Sequence, residues 1–330
     1  MISTMPWQAL LVVALAFVFA YFNGVLDSAS LVATAISSRS LSPRAALALA
    51  SLAEFIGPFL FGTAVATTIG SGLVRPEVVS LSLVGAALGG AILWNLLAAR
   101  GGLPTSSSHA LVGGLVGAGL AAGGGDAIQA QGLVLILLAL VGGPLVGLIV
   151  GYLGLRFVLW ALRAATPGVN LWFRRGQWLT VVVLALSHGT NDAQKTMGVL
   201  LLVLIAVGAV TDGQVPVWAV ALSAGGLALG VATGGSRVIR TLGSGFYKLR
   251  PVHSFCSQAV GALVILGATL FGAPVSTGQV VSSSIIGVGA AHRLSAVRWD
   301  LARSIVVAWL VTMPVSGGLA GAIYWLLSRA

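Results

Sequence analysis

Trp178-Leu-Thr-Val-Val-Val-Leu-Ala-Leu-Ser-His-Gly-Thr-Asn-Asp-Ala-Gln-Lys-Thr-Met-Gly-Val-Leu-Leu-Leu-Val-Leu-Ile205 decides how the chain is read. Its flanks are apolar enough to cross a bilayer, yet its centre, Ser187–Lys195, is a string of hydroxyl, imidazole, amide, carboxylate and ammonium groups. An ionisable group at membrane depth is costly, so its presence marks a pathway or a site. A weaker copy, Asn23-Gly-Val-Leu-Asp-Ser-Ala-Ser30, interrupts the first apolar stretch. Two further segments pair in the same way: Pro104-Thr-Ser-Ser-Ser-His109 and Pro274-Val-Ser-Thr-Gly-Gln279.

Composition sets the solvent. The 330 residues are 58% hydrophobic and 7% charged, with a mean hydropathy of +1.04, against about 25% charged in a soluble domain. That excludes a water-soluble enzyme. The net charge of +10 does not imply nucleic-acid binding, because the basic residues are sparse and lie in separate loops. The single Cys256 excludes an intramolecular disulfide and a multi-cysteine metal site. The first residues lack the basic region of a cleaved signal peptide and read as the lead-in to a retained helix.

Apolar stretches over 7–37, 45–69, 79–99, 103–123, 128–155, 178–210, 215–234, 253–272, 275–291 and 304–328 predict ten membrane crossings. Loops holding Arg39, Arg44, Arg100, Arg156, Arg163, Arg174, Arg175, Arg237, Arg240, Lys248, Arg250, Arg293, Arg298 and Arg303 alternate with loops holding Arg75, Glu77, Asp126 and Asp212. By the positive-inside rule the basic loops are cytoplasmic, which puts both termini outside. Five crossings precede the cytoplasmic segment and five follow it, so the halves enter the membrane from opposite sides. The expected fold is therefore an all-α polytopic membrane protein of two inverted-topology repeats. Residues 1–165 and 178–330 form the repeats, 166–177 connects them, and broken or re-entrant helices sit at the Pro-Ser/Thr motifs. Inverted repeats of this kind build many secondary transporters.

Asp27 and Asp192 lie about 17–21 Å from the cytoplasmic edge by helical rise, near the middle of the hydrocarbon. Both are candidate carriers of a coupling cation or proton, and Glu54 is a third. Thr105, Ser106, Ser107, Ser276 and Thr277 stand at expected helix starts, where hydroxyls and unpaired N–H groups make an anion site; capping alone is the alternative reading. An anion beside two carboxylates is repelled by roughly 3 kcal/mol per charge pair at about 5 Å. Lys195 alone cannot offset that, so a cation must enter with the anion: sodium, protons, or a metal held with the oxyanion. Asn23, Gly24, Gly189, Gln194 and Lys195 are supporting candidates, Lys195 either pairing with Asp192 or touching the anion. His109 and His188 are read equally as structural hydrogen-bonders and proton carriers.

Ser187–Gly198, Pro104–Gly114, Pro274–Ser284, Leu41-Ser-Pro-Arg44, Arg240-Thr-Leu-Gly-Ser244 and Val288-Gly-Ala-Ala291 resemble the PiT family of inorganic phosphate transporters over nearly the whole chain. The resemblance implies cation-driven phosphate symport across the plasma membrane and a homodimer. It implies phosphate held by Thr105, Ser106, Ser107, Asn191, Ser276 and Thr277, and sodium or protons at Asp27 and Asp192. Leu26, Ser30, Gly278 and Gln279 depart from the family's usual residues. The first half therefore offers fewer oxygen ligands, which shifts the expectation there from sodium toward protons. A sulfate permease of the same fold is the nearest alternative. An intramembrane hydrolase with a hydroxyl nucleophile near His109 or His188 is the alternative from another class, and duplicated motifs argue against it. No resident cofactor is expected.

Overall fold

The computed structural model describes residues 5–329 except 102, 104, 211–213, 235–249 and 298. Pro104, Asp212, Arg237, Arg240, Lys248, Arg298 and the Arg240–Ser244 motif lie outside the described residues. The described residues form eleven α helices: α1 Trp7–Ser37, α2 Pro43–Ile56, α3 Ala64–Gly72, α4 Leu81–Arg100, α5 Ser107–Gly123, α6 Ala130–Ala161, α7 Val169–Ala206, α8 Val217–Thr233, α9 Pro251–Leu270, α10 Thr277–His292 and α11 Trp299–Leu327.

Six segments are long and apolar enough to cross a bilayer: α1, α4, α5 with its following turn, α6, α9 and the Leu310–Leu327 part of α11. The stretch expected as one span over 45–69 is instead α2, continued by the Gly57–Phe59 turn, and α3, bent by 69° to each other across residues 60–63; counted as one span it makes a seventh. Residues 60–63 make the break, and Gly62 there takes a φ of +72°, which glycine adopts without steric penalty. Ten spans of full length are thus not found among the described residues. α8 and α10 are short, with 17 and 16 residues. The 38 residues of α7 are diluted by their polar centre. α7 also begins at Val169, nine residues before the expected start at Trp178. Residues 169–177, expected as connector, are helical because Arg174 and Arg175 stand on the solvent-exposed face while Gln177 is buried.

Both Pro-Ser/Thr motifs lie in the turn of a helical hairpin, α4–α5 and α9–α10, whose arms pack on each other. α4 and α9 begin and end 170 residues apart, as do the starts of α5 and α10. Partners are exchanged between the halves: α5 packs on α11 and α10 on α6, while α1 packs on α8 and α7 on α2. Small residues permit this. Gly113 faces Met313 and Ser316, and Gly117 faces Gly317, where close backbone approach favours glycine over larger residues.

α1 and α7 cross antiparallel at the centre. Asn23 meets Asp192, Asp27 meets His188, and Ser38 meets Gln177, so each step forward along α1 matches a step backward along α7.

Candidate functional site

The site gathers at that crossing. On α7, His188, Asp192 and Lys195 are spaced four and three residues apart, which puts them on one helical face. All three are buried. Asp192 is fully engaged: Oδ2 accepts from Asn23 Nδ2 at 3.2 Å and from Thr277 Oγ1 at 3.0 Å, while Oδ1 accepts from Lys195. Lys195 Nζ also donates to Ser108 Oγ at 2.7 Å and to the Val275 carbonyl at 2.6 Å. One ammonium therefore ties α7 to both hairpin tips. It is no helix-surface ion pair.

The tips also hold each other. Ser106 Oγ and Ser276 Oγ lie 2.8 Å apart, and Ser107 donates to Asn23 Oδ1. His109 Nδ1 lies 2.9 Å from Ser106 Oγ and 3.2 Å from Gln279 Nε2. Ser106 caps α5 by accepting from His109 N, whereas Ser276 makes no side-chain cap to α10. The first N–H groups of α10 are thus left to a ligand or the solvent, at the positive end of the helix dipole.

His188 is the hub of the acids. Its Nδ1 lies 2.5 Å from Glu54 Oε1, and its Nε2 lies 3.5 Å from Asp192 Oδ2 and 3.8 Å from Asp27 Oδ2. With the ring proton on Nδ1, the nitrogen beside Glu54, a neutral ring would aim the Nε2 lone pair at two carboxylates. A proton or a cation at Nε2 removes that repulsion. Ligand atoms of Asp27, His188 and Asp192 all lie within 4.8 Å of one another, close enough for one cation to reach all three. Three carboxylates against one lysine and one imidazole leave the site with no surplus positive charge for an anion.

Asp27 is the least enclosed of the three acids, at 16% exposure. It occupies space that a side chain at Gly278 would fill, since a Cβ there would fall 2.8 Å from Asp27 Oδ1. Gly189 plays a packing part of the same kind: a Cβ would meet the Glu54 carbonyl at 2.6 Å, so glycine brings α2 close enough for Glu54 to reach His188. Gly24 lies against the Leu227 carbonyl of α8.

Three expected site residues face elsewhere. Thr105 Oγ1 accepts from Trp94 Nε1 at 3.1 Å and lies 3.4 Å from Thr312 Oγ1. The Asn191 amide donates to Thr269 Oγ1 at 2.8 Å and to the Ala273 carbonyl at 3.2 Å. Gln194 binds Val65 N and the Gly62 carbonyl, each at 2.8 Å. These three brace the tips and α3 from behind. Gln279 was read from sequence only as a departure from the family's usual residue, and the joining role of His188 was not foreseen. The spacing of His188 and Asp192 was the available signal.

Buried charges at the crossing of two long helices, closed by two hairpin tips in an all-α membrane fold, define a polytopic carrier of ions or polar solutes. Residues 23–320 match the model of the phosphate transporter family. The chain is 42% identical to a Rhizobium meliloti protein named "Probable low-affinity inorganic phosphate transporter", covering 95% of this chain and 94% of that one. It is 37% identical to a Bacillus subtilis protein of the same name, covering 97% of each. A solved structure titled "The sodium-dependent phosphate transporter" superposes with a TM-score of 0.90 at 25% identity, covering 98% of this chain and all of that one. The chain belongs to the phosphate transporter family. It is a multi-pass membrane transporter and not an enzyme.

Proposed function

We propose that the protein imports inorganic phosphate across the plasma membrane by cation-coupled symport, the cation lodging at Asp27, His188 and Asp192. The observation that carries this reading is the Ser106–Ser276 hydrogen bond beside Lys195. Two hydroxyls that satisfy each other across a hairpin junction can turn outward to a tetrahedral oxyanion. Ser107 and Thr277 add hydroxyls, and the open start of α10 adds N–H groups. Thr105 and Asn191 position these tips. Lys195 releases Asp192 toward a cation as it turns to phosphate.

The donor set favours a proton as the coupling charge. An imidazole lies between the carboxylates, imidazole suits protons and transition metals better than hard cations, and Leu26 and Ser30 bring little oxygen. When a proton arrives at Nε2, Glu54, 2.5 Å from Nδ1, takes the Nδ1 proton and the ring returns to neutral. Sodium is the second reading, favoured by the likeness to a structure titled sodium-dependent. Uptake of labelled phosphate into proteoliposomes under separately imposed gradients tests both: acceleration by a proton gradient without sodium is expected, and a requirement for sodium would overturn the proton. Excess sulfate is expected to leave phosphate uptake unchanged; equal competition would favour a sulfate permease. The inverted relation of the two halves, supported by the 170-residue offset and exchanged packing, would supply alternating access. We further propose a homodimer, tested by chemical cross-linking in native membranes.

A further inference from the structure

Beyond the site, toward the C-terminus of α1 and the N-termini of α7 and α9, the interface of these three helices is stitched by neutral polar groups in two layers. In the first, Gln258 Nε2 donates to Thr34 Oγ1 at 2.9 Å and Gln258 Oε1 accepts from Thr180 Oγ1 at 2.5 Å. In the second, Gln177 Oε1 accepts from both Ser38 Oγ and Ser254 Oγ at 2.8 Å, and Gln177 Nε2 donates to the Pro251 carbonyl. Thr34, Gln177, Thr180, Ser254 and Gln258 are all buried. Hydroxyl and amide bonds between helices are common in membrane interiors; here they stack in two successive layers between the site and one face. The layers end beside Arg39, Arg44, Arg174, Arg175 and Arg250, all exposed, on the face the positive-inside rule makes cytoplasmic.

Among the described residues the opposite side of the site has no such ladder. Asp27 and Asp192 are 165 residues apart, and α4 and α9 are offset by 170. Carried across by these offsets, Gln177 falls on Val12, Ser254 on Val84, Gln258 on Leu88, Thr34 on Val199, Ser38 on Val203 and Thr180 on Leu15. The first five belong to one buried apolar cluster. The same helices that close one end with hydrogen bonds close the other with aliphatic packing.

We infer that the Thr34–Gln258–Thr180 and Ser38–Gln177–Ser254 layers form the inner gate, the route by which phosphate and its accompanying charge leave the site for the cytoplasmic mouth. The inference rests on the proposed transport of phosphate. Each bond in the layers joins uncharged partners. When the helices part, every donor and acceptor released can be satisfied by water or by a phosphate oxygen. Amide and hydroxyl donors guide an oxyanion without a fixed charge to trap it, and the arginines beyond draw it outward. Aliphatic side chains on the far side offer no such exchange.

The test replaces Ser38 and Gln177 by cysteine in a Cys256→Ala background and joins them with a short, reducible bis-methanethiosulfonate linker. A linker is used because the contact runs through the full length of the Gln177 side chain, whereas a direct disulfide needs Cβ atoms about 3.5–4.5 Å apart. Linking, verified by mass spectrometry, is expected to slow uptake by about tenfold or more, about 1.4 kcal/mol of barrier, with recovery under dithiothreitol and phosphate binding by the purified protein retained. Unchanged uptake by linked protein, or failure of the pair to link, would overturn the gate. Loss of phosphate binding before linking would instead refute the transport reading. If the pair does not fold, Gln258→Cys serves: a charged, impermeant thiol reagent should reach it from the cytoplasmic side, and labelling from the outer side alone overturns the gate.

Discussion

The two ends of the α1–α7 crossing are built from the same helices in opposite chemistry. Toward the basic face, Gln177 and Gln258 knit α1, α7 and α9 together by side-chain hydrogen bonds. Toward the other face, Val12, Val84, Leu88, Val199 and Val203 join a continuous apolar core. A hydrogen bond in a protein contributes about 1 kcal/mol net because water can replace it, whereas fully burying an aliphatic side chain contributes about 1.5–3 kcal/mol. Equal numbers of contacts therefore close the two ends with unequal strength. The apolar end holds the structure shut, and the polar end is the easier one to open.

Substitutions can break or sharpen that contrast. The largest effect belongs to the point where the ends meet. Asp192→Asn should abolish coupled uptake and lower stability by about 3–5 kcal/mol, since it leaves Lys195 buried without its counter-charge. Asp27→Asn should also abolish uptake but lower stability by less than about 1 kcal/mol, because Asp27 is partly exposed and its ring contact is long. Proteoliposome uptake and thermal unfolding in detergent measure both, and full concentrative uptake by either variant would remove these carboxylates from the mechanism. Next comes Leu88→Gln, which puts an amide into the apolar cluster and should lower stability by about 3 kcal/mol. An unchanged unfolding temperature would show that this end is already hydrated. Gln258→Leu should lower stability by only about 1–2 kcal/mol, yet slow uptake by about tenfold while phosphate binding persists. If it slowed nothing, the polar ladder would be packing alone. The smallest effect is expected for Ser40→Ala, which loses a partly buried 3.1 Å contact with Ser38; stability should change by about 0.5 kcal/mol or less and uptake by less than about twofold.

Much of this was legible in the chain. Carboxylates set in apolar stretches announced Asp27 and Asp192, and the paired Pro-Ser/Thr motifs announced the hairpin tips that meet through Ser106 and Ser276. Periodicity could not reveal which side of a tip each residue presents, so Thr105 and Asn191 read as ligands although they face Trp94 and Thr269. Charge misled at the connector, where Arg174 and Arg175 suggested a loop and hid the fact that Gln177 begins the ladder one helical turn on. Gln258 and Ser254 gave no sequence signal, because a lone amide in an apolar run is indistinguishable from ordinary helix glue until its partners on two other helices are known. His188 gave one: its four-residue spacing from Asp192 shares a helical face, but its link to Glu54 depends on α2 packing tightly over Gly189.

The antiparallel crossing of α1 and α7 has a mechanical corollary. Gln177 and Val203 stand 15 and 11 residues to either side of Asp192, and Val12 and Ser38 stand at the same distances from Asp27. Taking the charged crossing as a fulcrum, these are lever arms of about 16–22 Å. A rocking of about 10° would shift each tip by about 3–4 Å, more than the length of a hydrogen bond, while the fulcrum itself stays nearly still. One small rotation would thus unlatch one end as it presses the other together, and the bound ions would ride at the pivot.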